Sequence, residues 1–485
     1  MPSERDLSAS PPPPGSVPLI RGARVHGRSG LVDVYVRDGK VSALVPAGAG
    51  GSADSGAGGA MDPAAGGSIG STAGGSIGST TGEAIGSAAG GAVDSAAGEA
   101  IDSTTGGAVD SLDARGGLVS RAFTEPHYHP DKAYSRSLAP AGARDGFERA
   151  RLIKAGFTVE DVTERATRAL RLAASGGVTR LRANVDVDSV SGLRGLYGVL
   201  AARERVAHLM DVEIVAFPQE GLARDPGTRD LLAEALRSGA SLIGGWPNVE
   251  DGAEAQRASV RETFDLAERF GVGVDIHADC AIDPAETMLE YIAEETVRRG
   301  YQGRVVASHC CGLEVYDDTD AARVVAAVAE ADVRVVVVPL NLVDGGPRGL
   351  SRPLELTAAG AMVAAGSDNM NDGWYALGTL DPLDRARMTF LGAGFEDEGA
   401  VDLAWEMVSG RAAAVLGGRD GDIEVGTDAD LVLFDAPDRG TVLAGLPGTR
   451  TTFRRGRLVG RRVTDARLGD RTAHPATPAA QGAAG

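Results

Sequence analysis

The chain is poor in cysteine and in histidine, and nowhere does it carry a run of basic residues. Three cysteines in 485 residues, Cys280, Cys310 and Cys311, are too few for a disulfide framework and fit a reduced, cytoplasmic setting. Lys and Arg total 48 against 67 Asp and Glu, a net charge of −19. With no basic stretch to track a phosphate backbone, neither nucleic acid nor an anionic membrane surface is expected as a partner. Long apolar runs are also missing. The longest, around Val333–Val343, is interrupted by Arg334 and Pro339 and is far too short to span a bilayer, so it reads as a buried strand. The opening MPSERDLSASPPPPGS holds no apolar secretory core; residues 1–16 read as a disordered tail.

Beyond that tail the chain is organised. Residues 17–48 alternate apolar and polar positions around turns at Arg28-Ser29-Gly30 and Asp38-Gly39, the pattern of a small antiparallel β unit. Residues 49–112 repeat with a period of eight (AGGSIGST, AGGAVDSA and variants). Each unit offers one Ile, Val or Met among Gly, Ala and Ser, too little apolar surface to offset ordering entropy, so the segment reads as a disordered insertion. From LDARGGLVSRAFTEPHYH a strand resumes, and residues 113–416 then alternate β-rich runs with amphipathic segments. Helices are expected over 158–174, 227–238, 254–270, 284–300, 320–330, 352–364 and 400–415. Strands are expected over 178–187, 211–217, 240–245, 272–277, 303–308, 333–339 and 362–367. That alternation predicts an α/β fold, a (β/α)8 TIM barrel. Residues 417–463 return to strands and complete, with 17–48, one discontinuous β-domain; 464–485 read as a second tail.

Four of the seven histidines fall in three short segments, EPHYHPDK, DIHADC and ASHCCG, and a fourth, GSDNMND, adds an aspartate; each follows an apolar β-branched stretch. Together they supply His127, His129, His277, His309 and Asp368. Alternate residues of a strand point the same way, so the H-x-H pair aims two imidazoles at one ion. Neutral imidazoles with one carboxylate suit a divalent metal that activates water. Asp368 also has a simpler reading as a helix cap. Cys310 and Cys311 read as small buried hydrophobes, and His26, His208 and His474 as exposed.

These motifs, with RDGKVSAL, NVDVDSV, IVAFPQEG, VDIHADCAIDP, GSDNMNDGWYALGTLDPL and GTDADLVLFDA, resemble the amidohydrolase superfamily in its cytosine deaminase branch. HPDK and SDN also resemble the N-isopropylammelide amidohydrolase type. The resemblance implies His127, His129, His277 and Asp368 as metal ligands, with one Zn²⁺ or Fe²⁺ per chain. His309 matches a histidine that either ligates the metal or hydrogen-bonds the attacking water and substrate. Gln219 matches a glutamine that holds the amide edge of a heterocycle, and Lys132 a lysine near the metal. Two positions depart. Cytosine deaminases place a proton-shuttling glutamate where this chain has Cys280, and a histidine where it has Asn184. Asp279 is a substitute acid on a straight-strand reading; Cys280, Asn184 and Trp374 are further candidates for lining the substrate pocket.

The expected activity is hydrolysis of a C–N bond by metal-activated water, with Asp368 and His309 taking the water's proton, and no covalent enzyme intermediate. The expected substrate is a small N-heterocycle bearing an amino or alkylamino group. Ring or acyl amide hydrolysis by the same activated water is the alternative, and a non-catalytic binding protein the third reading. Assembly into a homo-oligomer is left open.

Overall fold

The computed structural model describes residues 16, 18–48, 111–280, 287–342, 350–445 and 448–464. The two tails, almost all of the octapeptide repeat and the start of the helix expected at 284 lie outside the described residues.

Eight parallel strands lie side by side in sequential order: Phe123–Tyr128, Val178–Asp186, Asp211–Phe217, Leu242–Gly245, Gly273–Ala278, Val305–His309, Arg334–Val337 and Val363–Ala365. They are nearly continuous runs of buried residues, as strands covered on both faces must be. Helices between them supply the outer layer. The longest are Val159–Ser175 and Ala253–Phe270. Thr158 caps the first of these by accepting from the Asp161 N–H at 3.1 Å, and Asp317 caps Asp318–Glu330 through the N–H groups of Thr319 and Asp320, each satisfying donors the helix leaves unpaired. This is the (β/α)8 barrel that the alternation predicted.

The barrel's seam is irregular. Strand eight has three residues, and it meets strand one through an isolated parallel bridge between Tyr128 and Asp368. Lower down, the gap is filled by backbone from elsewhere: Thr124 N–H donates to Val408 O at 3.0 Å and Ala365 N–H to Met407 O at 2.9 Å. This explains why the helix expected over 400–415 is two helices, Glu398–Glu406 and Gly410–Val415. Between them the Met407 and Val408 carbonyls accept from barrel strands instead of from the next helical turn. The helix expected over 352–364 is likewise short, Pro353–Ala358, because Gly360 (φ 93°) turns the chain into strand eight. Four helices were not expected: Gly146–Ala155, Arg194–Val206, Pro382–Gly392 and the short Arg439–Leu443.

A second, mixed sheet forms from the two ends of the chain. Its path runs Arg457–Val463, Thr449–Arg454, Leu431–Phe434, Leu118–Arg121, Ile20–Val25, Val32–Arg37, Lys40–Pro46, with Leu112–Asp113 also beside Ile20–Val25. Asp38 and Gly39 both have positive φ (52° and 75°), the signature of a type I′ hairpin at the expected turn. The single strand expected to lead into the first histidine motif is instead broken. Leu118–Arg121 belongs to this sheet, and only Phe123–Tyr128 enters the barrel. Trp405, wholly buried, joins the two layers. Its ring lies 5.3 Å from Phe123 and 5.7 Å from Phe434, and its indole N–H donates to Ser120 Oγ at 3.2 Å. Each such buried aromatic side chain contributes roughly 1.5–3 kcal/mol. Gly177 (φ 98°) opens strand two at this junction; a Cβ there would sit 2.9 Å from Val432 Cγ2.

Candidate metal centre and active site

Every sequence-predicted ligand stands at the C-terminal mouth of the barrel, the face on which barrels of this kind build active sites. His127 lies in strand one and His129 just beyond it, His277 in strand five, and Asp368 after strand eight. Their ligand atoms all lie within 4.8 Å of one another, and all four residues are buried. His129 Nε2 is 3.1 Å from His277 Nε2. Asp368 Oδ1 is 3.2 Å from His129 Nε2 and 3.5 Å from His127 Nε2. His127 Nε2 has no hydrogen-bond partner. Two imidazole nitrogens turned on each other, and a third left bare, leave buried polar atoms without proton partners. One divalent ion among them satisfies all three, so the residues fit a metal.

The electrostatics agree. Burial, then Lys132, lowers His129 to about 3; burial and the neighbouring imidazoles push His277 well down. Both rings are therefore neutral at physiological pH, as ligands must be. Burial alone would raise Asp368, but the surrounding histidines hold it well below the usual carboxylate range.

Backbone supports each ligand. Asp368 adopts φ 63°, a left-handed conformation that Asp tolerates better than most residues. Glu125 accepts from the N–H of His127 at 3.0 Å and of Ser367 at 3.1 Å, with the buried Arg385 guanidinium against it. One carboxylate thus ties strand one to the loop bearing Asp368. Asn184, a candidate for lining the pocket, lies behind His127, 3.2 Å from its Nδ1, and does not line the cavity. The Asn184 Nδ2 is the atom that faces the ring, and its Oδ1 has no partner; with Nε2 given to a metal, Nδ1 carries the proton and the amide must turn over to accept it.

Asp279 requires a correction. It sits at φ 52°, so the strand ends at Ala278 and the straight-strand alternation breaks. Its carboxylate accepts from the N–H groups of Met288 at 2.5 Å and Leu289 at 3.2 Å. It caps the helix Leu289–Arg299 and turns away from the cavity, so it is not the substitute acid. Cys280 takes the wall position instead.

The cavity above the cluster encloses about 170 Å³. Its walls include Lys132, Gln219, Cys280, His309 and Trp374, all expected from sequence. Lys132 donates to Gln219 Oε1 and pairs with Asp186 at 2.9 Å, leaving the Gln219 amide N–H groups to the pocket. Lys154, behind, is paired with Asp188 at 2.5 Å and Glu220 at 2.7 Å. Phe217 stacks on His277 at 4.0 Å. The rim is aromatic: Phe147 stacks on Trp246 at 5.4 Å and meets Trp374 edge-on at 4.6 Å. His309 lines this space, its buried Nε2 has no partner, and it lies outside the four-residue ligand cluster.

Sequence reasoning missed several wall residues: Phe147, Phe217, Trp246, Asn341, Asn369 and Tyr375, and the pocket position of Cys311. Trp246 and Asn341 each follow a barrel strand by one or a few residues, so their position at a strand end was the available signal. Asn369 adjoins Asp368. Phe147 carried no signal, because its helix was not recognised.

A buried three-histidine, one-aspartate cluster at this end of a (β/α)8 barrel defines a metal-dependent hydrolase. The chain belongs to the amidohydrolase family, whose model matches residues 144–459, and within it to the cytosine deaminase-like branch that its motifs resemble. It is 30% identical to a pterin deaminase of Rhizobium rhizogenes, over 73% of this chain and 83% of that protein. To the N-isopropylammelide isopropyl amidohydrolase of a Pseudomonas species it is 27% identical, over 67% and 81% respectively. Among solved structures, the 5-methylcytosine deaminase of Klebsiella pneumoniae liganded with phosphonocytosine superposes with a TM-score of 0.74 at 26% identity, covering 93% of this chain and all of that one. The chain is therefore an enzyme acting on C–N bonds other than peptide bonds.

Proposed function

We propose that the enzyme deaminates a small N-heterocycle bearing an amino or alkylamino group, with one Zn²⁺ or Fe²⁺ held by His127, His129, His277 and Asp368. The observation that carries this reading is the ionised Asp368 set against two ligand imidazoles beneath an aromatic-rimmed cavity. When bound, the ion acidifies a water and polarises the reacting carbon's environment. Asp368 is ionised and takes the water's proton, then returns it to the departing nitrogen. His309 aims the attack from the opposite wall. Gln219 and Lys132 present N–H donors to the ring's carbonyl edge, and Trp374, Trp246 and Phe147 enclose the ring faces and exclude water. Asp368 is the sole carboxylate lining the cavity among the described residues. The proton destined for the leaving group passes through Asp368, the carboxylate that the described residues offer there.

The relatives support a heterocyclic substrate, being a pterin deaminase, an isopropylammelide amidohydrolase and a 5-methylcytosine deaminase by name. The test is metal analysis of protein purified without added metal, paired with amine and ammonia release from aminopyrimidines, aminotriazines, aminopurines and pterins. One zinc or iron per chain with ammonia from any of these rings supports the proposal. Ring opening to a carboxylate without ammonia replaces it with cyclic amide hydrolysis. Stoichiometric metal with no turnover on any class defeats it.

A further inference from the structure

Behind His309 one wall of the cavity holds a hydrogen-bonded series, centred on Asn341, to which the proposed reaction gives no role. Asn341 follows strand seven and is 6% exposed. Its Nδ2 lies 3.3 Å from His309 Nδ1 and 2.8 Å from Cys311 Sγ. Its Oδ1 accepts from the Tyr375 hydroxyl at 3.1 Å. In this orientation both amide protons and the amide oxygen are used.

We infer that Asn341 is a positioning residue that fixes His309 as its Nε2–H tautomer, making His309 a hydrogen-bond donor into the active site. The chemistry is simple. A primary amide nitrogen only donates, so the ring nitrogen facing it must accept and carry no proton. In a neutral imidazole the proton then resides on Nε2. That nitrogen is buried, lacks a partner and lines the cavity. An Nε2 that bears a proton has no lone pair for a metal, which accords with His309 lying outside the ligand cluster. His127 meets Asn184 through the same Nδ2 to Nδ1 contact, but no partner holds the Asn184 oxygen in that orientation, whereas the Tyr375 hydroxyl holds that of Asn341.

The donor's target is an oxygen at the reacting carbon or on the attacking water, where negative charge grows as the bond forms. A fixed Nε2–H strengthens there without rotation of the ring.

The inference rests on the deaminase reading only for its catalytic consequence; the tautomer itself is measured without substrate. In zinc-loaded protein labelled with ¹⁵N-histidine, long-range ¹H–¹⁵N correlation is expected to show His309 with a protonated Nε2 and a bare Nδ1. In cadmium-substituted protein, ¹¹³Cd coupling is expected at His127, His129 and His277 and absent at His309. Asn341→Asp replaces the donating nitrogen by an acceptor, so the His309 proton is expected on Nδ1. Zinc should stay at one per chain, and kcat on the identified substrate should fall about 10- to 100-fold with KM little changed. A role in folding alone would not move the proton between nitrogens. Cadmium coupling to His309, or a wild-type His309 protonated on Nδ1, overturns the inference. So does an unchanged tautomer in the folded variant. If the variant does not fold, the wild-type tautomer and coupling decide by themselves. A confirmed tautomer in a protein that deaminates nothing leaves this inference standing and removes the substrate proposal.

Discussion

Tyr128 and Asp368 pair across the barrel seam as neighbouring strand residues do. The Asp368 N–H donates to His127 O at 2.9 Å, and its carbonyl accepts from His129 N–H at 3.0 Å. The carboxylate that touches both ligand imidazoles is therefore registered to them by main chain, although the two segments are remote in sequence.

That register separates backbone from side-chain effects. Asp368→Asn keeps the bridge and the side-chain volume but loses the negative charge. The expected result is a loss of kcat of about 10²–10⁴-fold, the range for a positioned proton-transfer group, with an unchanged circular dichroism spectrum. Steady-state kinetics on the identified substrate checks it, and activity within a few-fold of wild type would remove Asp368 from its role.

The ligand assignment has its own test. His277→Ala should purify with well under one metal per chain, whereas His309→Gln should keep close to one. Elemental analysis of both variants decides between them.

Metal removal should also be visible without substrate. An ion that binds only the folded chain adds about 2.7 kcal/mol when present at a hundred times its dissociation constant. Dialysis against a chelator should lower Tm, and returning Zn²⁺ or Fe²⁺ should restore it. A Tm indifferent to chelation would contradict the cluster as a metal site.

Asp279 and Cys280 are adjacent with different work. Asp279→Ala removes a helix cap and should cost about 1 kcal/mol of stability, with kcat reduced far less than by Asp368→Asn. Cys280→Glu places a carboxyl on the cavity wall and is expected to raise cytosine deamination by at least about tenfold, less than the full contribution of a well-positioned acid–base group. Denaturant titration and an ammonia assay read the two outcomes. No gain with cytosine would show that Cys280 does not stand where a shuttle is needed.

Acid sensitivity follows from Glu213. Burial would raise its pKa, but Arg182 and Arg180 hold it below the ordinary glutamate value, with Arg182 at 3.0 Å. A lowered carboxylate pKa contributes stability above the unfolded value, lost as pH falls through the folded one. Glu213→Gln should thus lower Tm near pH 7, and its gap from wild type should narrow as pH falls below about 4.3, the unfolded glutamate value. Parallel melts across that range are the check.

The sequence made much of this site legible because its chemistry is local. His127 and His129 share one strand end, and His277, His309 and Asp368 each terminate a run of apolar β-branched residues, so type and position agreed. Asp279 misled because one residue at positive φ reverses which neighbour faces the cavity, and strand alternation carries no warning of that. Met407 and Val408 were unreadable as a break because their carbonyls bond to Ala365 and Thr124, partners remote in sequence. Phe147 enters the cavity through tertiary placement alone.

The seam has a consequence for how the protein comes into being. A ribosome delivers His127 and His129 early and Asp368 far later, and the span must close before the ligand set exists. Closing so long a loop is slow and entropically unfavourable. Capture of the ion therefore reports a finished barrel, and a nascent chain truncated before residue 368 holds the three ligand histidines but no complete nest for a metal.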